Sequence, residues 1–348
     1  MPTTAEPGRE KRTSVAVPSF LLADTPGYPD TNPAMFIDPQ KRLWLLWPVI
    51  LAHRWESALM KYRISSNYQK AWPPQWQTSE VLHVTPGTSY RTNVEAWLDE
   101  LAVSQPATTT SETNAEWINR QRARVADELS CRLGWMTRVH PYLLDERRLI
   151  VPLYSDGFDF SLMAITDDWG QSWFTSAPVL GLANVQPSLV RKRNGILVAL
   201  MRDNGSRHHR VQISESSDRG MTWSRASDSQ LPNPGAGLEA IVLRNGLWVL
   251  VNNDLENGRY SLAVSLSDDE GESWKWTRHL ERDTEPDIKA GPGSYHYPSI
   301  IQAKDGTIHV SYSFHLKRSL TKTDPSGRPA SESIKHAHFN EAWIRQGE

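Results

Sequence analysis

The segments TDDWGQSW (166–173), SSDRGMTW (216–223) and SDDEGESW (267–274) repeat one pattern, SxDxGxTW, and this repeat decides the fold. Their central aspartates, Asp168, Asp218 and Asp269, stand 50 and 51 residues apart when their numbers are subtracted. A fourth segment, SSNYQKAW (65–72), has Asn67 in place of the aspartate, and we interpret it as a decayed copy. A period of roughly 40–50 residues is typical of β-propellers, in which each repeat forms one blade.

Each box has the composition of a tight turn. Aspartate accepts bonds from backbone N–H groups, glycine adopts positive φ, and serine or threonine closes the loop. The final tryptophan is a large apolar group that can pack between neighbouring sheets. We therefore predict a structural role for the three aspartates.

A second motif precedes the boxes and has the form strand, turn, strand. Its five copies are NPAMFIDPQKRLWLLW, HPYLLDERRLIVPLY, QPSLVRKRNGILVALMR, EAIVLRNGLWVLVN and YPSIIQAKDGTIHVSYS. The Asn-Gly and Asp-Gly pairs favour hairpin turns, and the β-branched runs after them suit buried strands. The two motifs together predict an all-β propeller with five recognisable blades.

Two regions depart from this pattern. Apolar residues at helical spacing predict a helical insertion at about 90–131, which either covers the mouth of the propeller or lies against its side. The segment IKHAHFNEAWI (334–344) alternates like a last strand, which we expect to pair with an early blade and close the ring.

Composition excludes several classes of function. A formal net charge of -2 argues against nucleic-acid and anionic-membrane partners that bind through bulk charge. The single cysteine, Cys131, excludes a disulfide framework and a CxxC metal site, so we expect a buried thiol and predict neither a metal nor a cofactor. The chain has no apolar run of about 20 residues and no secretory signal, so the sequence leaves its localisation open. If more sequence preceded Met1, we would expect the protein to be secreted or periplasmic. Composition leaves the oligomeric state open.

The boxes, together with NPAMF, QPSLV, LPNPGAGLEA, YHYPSIIQAKDGTIHVSYS and IKHAHF, resemble the sialidase-like family of BNR or Asp-box repeat proteins, the neuraminidase superfamily. The resemblance covers residues 28–343 apart from the helical insertion. It implies a sialidase-like propeller of six blades. We therefore assign residues 28–348 to the propeller and residues 1–27 to an N-terminal segment that forms a partial first blade.

The resemblance also implies a site. Sialidases hold the substrate carboxylate with three arginines and use a tyrosine nucleophile activated by a glutamate, with an aspartate as general acid. Tyr297 matches the nucleophile and Arg202 one of the arginines, whereas Gln186 stands where the activating acid belongs. Glu239, one blade later, is the only carboxylate at the equivalent positions.

The inner strands of a propeller run side by side around one axis, so equivalent residues of successive blades come together. This set contains the first residues of the five motif copies, which are Asn32, His140, Gln186, Glu239 and Tyr297. It also contains the residues two positions earlier, which lie on the same face of the strand: Asp30, Arg138, Asn184 and Tyr295.

These residues suggest specific roles. Either Glu239 or His140 can take the proton of Tyr297, Arg138 can join Arg202 in holding a carboxylate, and Asp30 is the candidate general acid. The other predicted substrate contacts are Gln186, Asn32, Tyr295 and His296, of which Tyr295 and His296 either stack on a sugar or simply pack.

The leading hypothesis is a sialidase-like glycoside hydrolase that removes a terminal acidic sugar, so the expected partner is a carbohydrate. One alternative is another propeller enzyme, a uronate lyase or a rhamnosidase-type hydrolase, in which His140 and Tyr297 move protons. The other is a glycan-binding propeller without catalysis.

Overall fold

A computed structural model describes residues 20–70, 73–104, 114–205, 209–317 and 332–348. These residues form five antiparallel sheets in a five-bladed propeller arrangement with few helices. Four of the sheets are meanders of successive strands, and in the second sheet two short strands both pair with the strand that follows them. The predicted all-β propeller with five recognisable blades is confirmed, whereas the described residues form no sixth blade of the kind that the resemblance implies.

The strands are numbered in chain order. Blade 1 consists of β1 (Ala34–Ile37), β2 (Leu43–Ile50), β3 (Ala58–Ser65) and β4 (Thr78–Val81). Blade 2 consists of β5 (Trp135–Met136), β6 (Tyr142–Leu143), β7 (Leu149–Ser155), β8 (Phe160–Thr166) and β9 (Phe174–Thr175). Blade 3 consists of β10 (Asn184–Arg191), β11 (Leu197–Asp203), β12 (Arg210–Ser216) and β13 (Ser227–Pro232). Blade 4 consists of β14 (Glu239–Val242), β15 (Trp248–Asn252), β16 (Ser261–Ser267) and β17 (Trp276–Arg282). Blade 5 consists of β18 (Ser294–Gln302), β19 (Ile308–His315) and β20 (Glu332–Phe339).

The apolar core lies between the faces of successive blades. Trp44 of blade 1 packs in one cluster with Leu149 of blade 2, and Trp248 of blade 4 packs in another with Leu200 of blade 3. Strands β2, β7, β11 and β15, one from each of the first four blades, are buried along their whole length or nearly so, because both their faces contact a neighbouring blade or a covering segment. This packing brings the inner ends of the blades to a common axis.

The three boxes form the same turn. In each, the first hydroxyl lies 2.8 Å from the aspartate Oδ1 and accepts the glycine N–H at 2.9 Å. The glycines Gly170, Gly220 and Gly271 have φ between 86° and 87°, which residues with a Cβ rarely adopt. The tryptophans Trp173 and Trp223 pack partly buried against the inter-blade cores. The boxes therefore act in turn formation and packing.

The decayed box keeps part of this turn. The Ser65 hydroxyl donates to Asn67 Oδ1 at 3.1 Å, so the asparagine amide oxygen replaces one carboxylate contact. The tryptophan of this copy, Trp72, lies outside the described residues.

Replacing Asp218 with alanine is expected to lower the free energy of unfolding by about 1–3 kcal/mol, because the side chain accepts bonds from two backbone N–H groups and two hydroxyl groups. Urea unfolding followed by fluorescence measures this change. Glu146→Ala, at an exposed position of a neighbouring turn, serves as the control and is expected to change stability by less than about 0.5 kcal/mol. Equal stabilities of the two variants would contradict the structural role of the box.

Three helices lie between blades 1 and 2: α1 (Tyr90–Ser104), α2 (Asn114–Ala126) and α3 (Glu128–Arg132). Their apolar side chains join the core of these two blades, where the ring of Trp97 meets Phe160 edge to face at 5.9 Å. The Gln121 amide donates to the Gly157 carbonyl at 3.1 Å. The helices therefore pack against the side of blades 1 and 2 and hold the turn between β7 and β8.

The C-terminal strand differs from the expectation. β20 pairs with β19 inside blade 5 and not with an early blade, and the residues after it form α5 (Glu341–Arg345) with Asn340 as its N-cap. Trp343 and Ile344 pack in the cluster between blades 4 and 5. The amphipathic segment thus changes from strand to helix at Asn340, whose side chain accepts the Trp343 N–H.

Cys131 is buried, and burial raises the pKa of its thiol to about 11. Another short helix, α4 (Glu285–Ala290), lies between the last strand of blade 4 and the first strand of blade 5. Across the described ranges, no helix combines the length and apolar character needed to cross a membrane.

Candidate active site at the propeller axis

Three blades turn a side chain toward the axis through the same backbone distortion. Asn32, Gln186 and Tyr297 precede prolines and have φ of 42°, 55° and 53°, a left-handed conformation that costs a residue with a side chain roughly 1–3 kcal/mol. The strand register shifts at two of these positions, between Val185 and Ser188 and between His296 and Ser299. Such bulges redirect side chains and are frequent beside active sites.

Guanidinium groups from three blades surround the ring of Tyr297. The Cζ atoms of Arg138 (blade 2) and Arg259 (blade 4) lie 4.9 and 5.4 Å from the ring centre. The Nη1 atom of Arg202 (blade 3) lies 3.5 Å from the tyrosine hydroxyl oxygen. The guanidinium groups of Arg138 and Arg259 donate to backbone carbonyls, those of Pro298 and Gly235 respectively.

Within the described ranges, none of these three arginines forms an ion pair, and the Nε of Arg202 is buried without a hydrogen-bond partner. Burial lowers the pKa of Arg138, although the nearby carboxylate of Glu239 opposes this effect. Burial also lowers the pKa of His296 to about 3, with Arg259 the next largest cause. The centre therefore has a positive charge that an anionic ligand would neutralise.

His140, which is partly buried, and Glu239, which is fully buried, form an ion pair next to Arg138. One oxygen of Glu239 accepts the His140 backbone N–H at 3.0 Å and lies 2.7 Å from His140 Nδ1, and the other accepts the Ile300 N–H at 2.9 Å. Burial alone would raise the pKa of Glu239, but His140 and the two N–H groups outweigh it and lower the pKa. The carboxylate in turn raises the pKa of His140.

The structure brings further predicted residues to this centre. The His296 ring meets the Tyr297 ring edge to face at 4.7 Å, and its Nδ1 has no partner. A Cβ placed on Gly237 would lie 2.9 Å from both Gln186 Oε1 and Tyr297 Cδ1, so these two side chains are close neighbours. The Asn32 amide donates to the Tyr154 hydroxyl at 3.1 Å.

Two predicted residues have other roles. Tyr295 is buried between blades 4 and 5, where its hydroxyl donates to Asp283 Oδ1 at 2.8 Å and its ring stacks on Phe314. The expectation that it shares the face of Tyr297 is wrong, because the bulge after His296 breaks the alternation of the strand. The carboxylate of Asp30 accepts bonds from Thr25 and from Trp47 Nε1, and these contacts fix the N-terminal segment to blade 1.

Sequence reasoning missed three residues near the centre: Arg259, Tyr154 and Asp156. Tyr154 occupies the same position in β7 as Arg202 in β11, five residues after Leu149 and Leu197, and comparing these positions would have found it. Arg259 lies in the loop between β15 and β16, outside both repeated motifs, and no sequence signal indicates it.

Asp156 lies in the turn between β7 and β8. Its side chain is exposed, yet the surrounding protein removes enough water to raise the pKa of the carboxyl to about 6, against the lowering effect of Arg202. In the same turn, Asp159 accepts the Asn204 amide at 3.1 Å, and Asn204 in turn accepts the Arg202 guanidinium at 2.9 Å. This turn therefore positions Arg202.

A cavity of about 280 Å³ lies beside the axis, where Arg138 and His140 meet Pro33, Ala34 and Ser299. A larger cavity, of about 510 Å³, lies between α1 and blade 3 and is lined by Trp97, Asp203 and Arg225 among others. None of the predicted site residues lines the larger cavity, so we place the candidate site at the axis. In the side-chain arrangement of the described segments, no group of three or more His, Cys, Asp or Glu residues is set up to hold a metal ion.

Similar folds occur in solved sialidases. The Hadza microbial sialidase Hz136 has a TM-score of 0.58 and 13% identity, and the match covers 91% of this chain and 53% of that protein. The leech intramolecular trans-sialidase has a TM-score of 0.58 and 13% identity over 91% of this chain and 57% of its own. The NanB sialidase of Streptococcus pneumoniae has a TM-score of 0.57 and 13% identity over 90% of this chain and 56% of its own.

This chain spans about half the length of these sialidases. At such identities the likeness establishes the fold alone. A comparison with curated proteins gives no match. The sequence of residues 91–310, more than half of the chain, matches the BNR repeat-like domain. The chain therefore belongs to the BNR repeat-like domain family.

Proposed function

We propose that this protein binds a terminal acidic sugar at the propeller axis and hydrolyses its glycosidic bond, as a sialidase-like glycoside hydrolase. The observation that supports this most is the set of three arginines around Tyr297, none of which has an ion-pair partner in the described residues. A sugar carboxylate matches the fork geometry of guanidinium groups. The similar leech enzyme was solved with 2,7-anhydro-Neu5Ac, an acidic sugar.

In this proposal Tyr297 attacks the anomeric carbon, and the arginines stabilise negative charge that develops on its oxygen. His140 accepts the phenol proton. Both oxygens of Glu239 are already bonded to His140 and Ile300, so we assign Glu239 the role of orienting neutral His140 and of stabilising the positive charge that the imidazole gains with the phenol proton. Water then releases the sugar from the tyrosine.

The leaving oxygen needs a proton, and we propose that Asp156 supplies it. Asp30, the earlier candidate, is bonded to Thr25 and Trp47, whereas Asp156 stands near Arg202 and has a pKa raised to about 6. A carboxyl group with this pKa is half protonated at pH 6, as a general acid requires.

A second candidate is binding of acidic glycans without turnover. It is favoured by the contacts of Tyr297, because none of the carboxylates in the described residues is hydrogen-bonded to its hydroxyl. A protein of this kind needs the arginines but not the nucleophile.

Tyr297→Phe distinguishes the two candidates. A fluorogenic sialoside should be cleaved by the wild type, and the variant should lose roughly a hundredfold or more in kcat, because it has no oxygen to form the covalent bond. Tyr68→Phe is a matched control, since Tyr68 lies in the decayed box of blade 1 and its hydroxyl accepts a bond from the neighbouring Gln69.

The same protein samples are then titrated with sialic acid in a calorimeter. Binding by both proteins without cleavage by either would support the second candidate. Equal cleavage rates of wild type and Tyr297→Phe would exclude Tyr297 as the nucleophile, and an ultraviolet-absorbing product from a uronate polysaccharide would support a lyase instead.

A further inference from the structure

His279, on the outer strand β17 of blade 4, lies between two carboxylates. Its Nε2 lies 2.8 Å from Asp254 Oδ2, and its Nδ1 lies 2.5 Å from Glu348 Oε1. A neutral imidazole has one N–H and can donate to only one of these oxygens, whereas the protonated ring donates from both nitrogens. Because an ionised carboxylate can only accept, this arrangement requires a protonated His279.

The surroundings of His279 favour this charge. The side chain is 8% exposed, and two elements bring a charged group to it: Asp254 comes from the loop between β15 and β16, and Glu348 from the segment after α5. Arg282 on the same strand as His279 binds the second oxygen of Glu348 at 3.1 Å. The bond with Asp254 is the largest cause of a raised pKa at His279, and Glu348 adds to it, whereas burial opposes both.

Asp254 fixes the loop that carries Arg259 to the propeller axis. This loop consists of residues 253–260, between β15 and β16. Asp254 Oδ1 accepts the hydroxyl of Ser261 at 2.7 Å, so this carboxylate joins the two ends of the loop. Arg259, one of the three arginines of the candidate site, lies two residues before Ser261. His279 therefore holds the base of the Arg259 loop through Asp254.

We propose that His279 is a positioning residue for the candidate site: its protonated ring fixes Asp254, and with it the Arg259 loop, in the arrangement that binds an acidic sugar. The inference rests on the proposed function, because the sugar carboxylate is the expected partner of Arg259. Loss of the proton leaves a lone pair of the ring facing a carboxylate, so the ring can hold Asp254 or Glu348 but not both. Affinity for the sugar should therefore decrease as the pH rises through the pKa of His279.

Protonation and sugar binding are then coupled in both directions. If the proton on His279 strengthens sugar binding, a bound sugar raises the pKa of His279 by the same factor. Coupling between two sites typically changes an affinity by about fivefold or more. His140 also titrates at the site, where Glu239 raises its pKa. A comparison of wild type with a His279 variant removes this contribution, since both proteins contain His140.

The test is calorimetric titration of the whole chain with sialic acid at about pH 6 and at about pH 9, on either side of the region where a histidine with a raised pKa titrates. The ratio of Kd at the higher pH to Kd at the lower pH should be about fivefold or more larger in the wild type than in His279→Gln. His83→Gln, at an exposed histidine after β4, is the matched control and should give the ratio of the wild type. Equal ratios in wild type and His279→Gln would overturn the proposal.

Amide hydrogen exchange tests the loop without a ligand. At about pH 6, where His279 is protonated, the backbone N–H groups of residues 255–260 should exchange faster in His279→Gln than in the wild type, because glutamine holds Asp254 without a charge. Unchanged exchange would overturn the positioning role even if sialic acid binds. Absence of sialic acid binding by the wild type at both pH values would contradict the proposed function, and faster exchange in the variant would still support the hold of His279 on the loop.

Discussion

Replacing Glu239 with alanine is expected to lower the free energy of unfolding by about 3–5 kcal/mol, the cost of breaking a buried ion pair by removing one partner. In the alanine variant, His140 either stays charged without its carboxylate partner or loses its proton. The backbone N–H of Ile300 also loses its acceptor in the core. Chemical denaturation near pH 6 measures the loss.

Glu239→Gln separates charge from shape, because glutamine fills the same space. The pKa of Glu239 is lowered in the folded state, so its contribution is present above about pH 4.3, its ordinary value, and fades as the pH falls through the folded value. The pKa of His140 is raised, so its contribution is present below about pH 6.5 and is lost as the pH rises through the folded value. The stability difference between wild type and Glu239→Gln should therefore be largest between about pH 4.3 and 6.5 and decrease on both sides.

A matched control for this pair is Glu215→Gln, which removes an exposed carboxylate bonded to Lys192 and is expected to cost less than about 1 kcal/mol. A stability difference for Glu239→Gln that is independent of pH would contradict the pairing with His140.

The architecture could be predicted because the boxes are local. The hydrogen bonds of a box join residues two to four positions apart, so the residues that form each turn are adjacent in the sequence. Their regular spacing indicates that each repeat forms one blade, and the hairpin turns between the strands indicate the order within a blade. The meeting of Arg138, Arg202 and Tyr297 follows from this geometry.

The partners of the site residues could not be predicted in the same way. Glu239 and His140 are 99 residues apart, and the alternation rule indicates that both face the axis without indicating that they bond to each other. The same rule failed for Tyr295, since one bulge changes the direction of every side chain on one side of it. Arg259 reaches the ring of Tyr297 from a loop, where neither repeat nor alternation applies.

Replacing Arg138 with methionine should strongly weaken binding of the acidic sugar while making the free protein more stable. We propose that the three guanidinium groups, which form no ion pair in the described residues, serve to bind an anionic ligand. Burial lowers the pKa of Arg138 by more than the nearby Glu239 raises it, so the protein disfavours the charged form relative to water. Methionine keeps most of the apolar contact with the ring of Tyr297 and removes the charge. Sialic acid binding is expected to weaken by about 2–5 kcal/mol, a factor of roughly 30 or more in Kd, and the melting temperature is expected to rise.

Arg138→Lys tests whether geometry matters in addition to charge, because lysine cannot hold a carboxylate with two parallel bonds. Its affinity should lie between those of the wild type and Arg138→Met. Arg193→Ala, at a side chain that is 70% exposed, should leave both affinity and melting temperature unchanged. Loss of stability in Arg138→Met together with undiminished sialic acid binding would mean that the arginine serves the fold, and the anion site would then have to be sought elsewhere. Loss of binding together with a gain in stability is the result expected if the positive centre is maintained for a ligand at a cost to the folded chain.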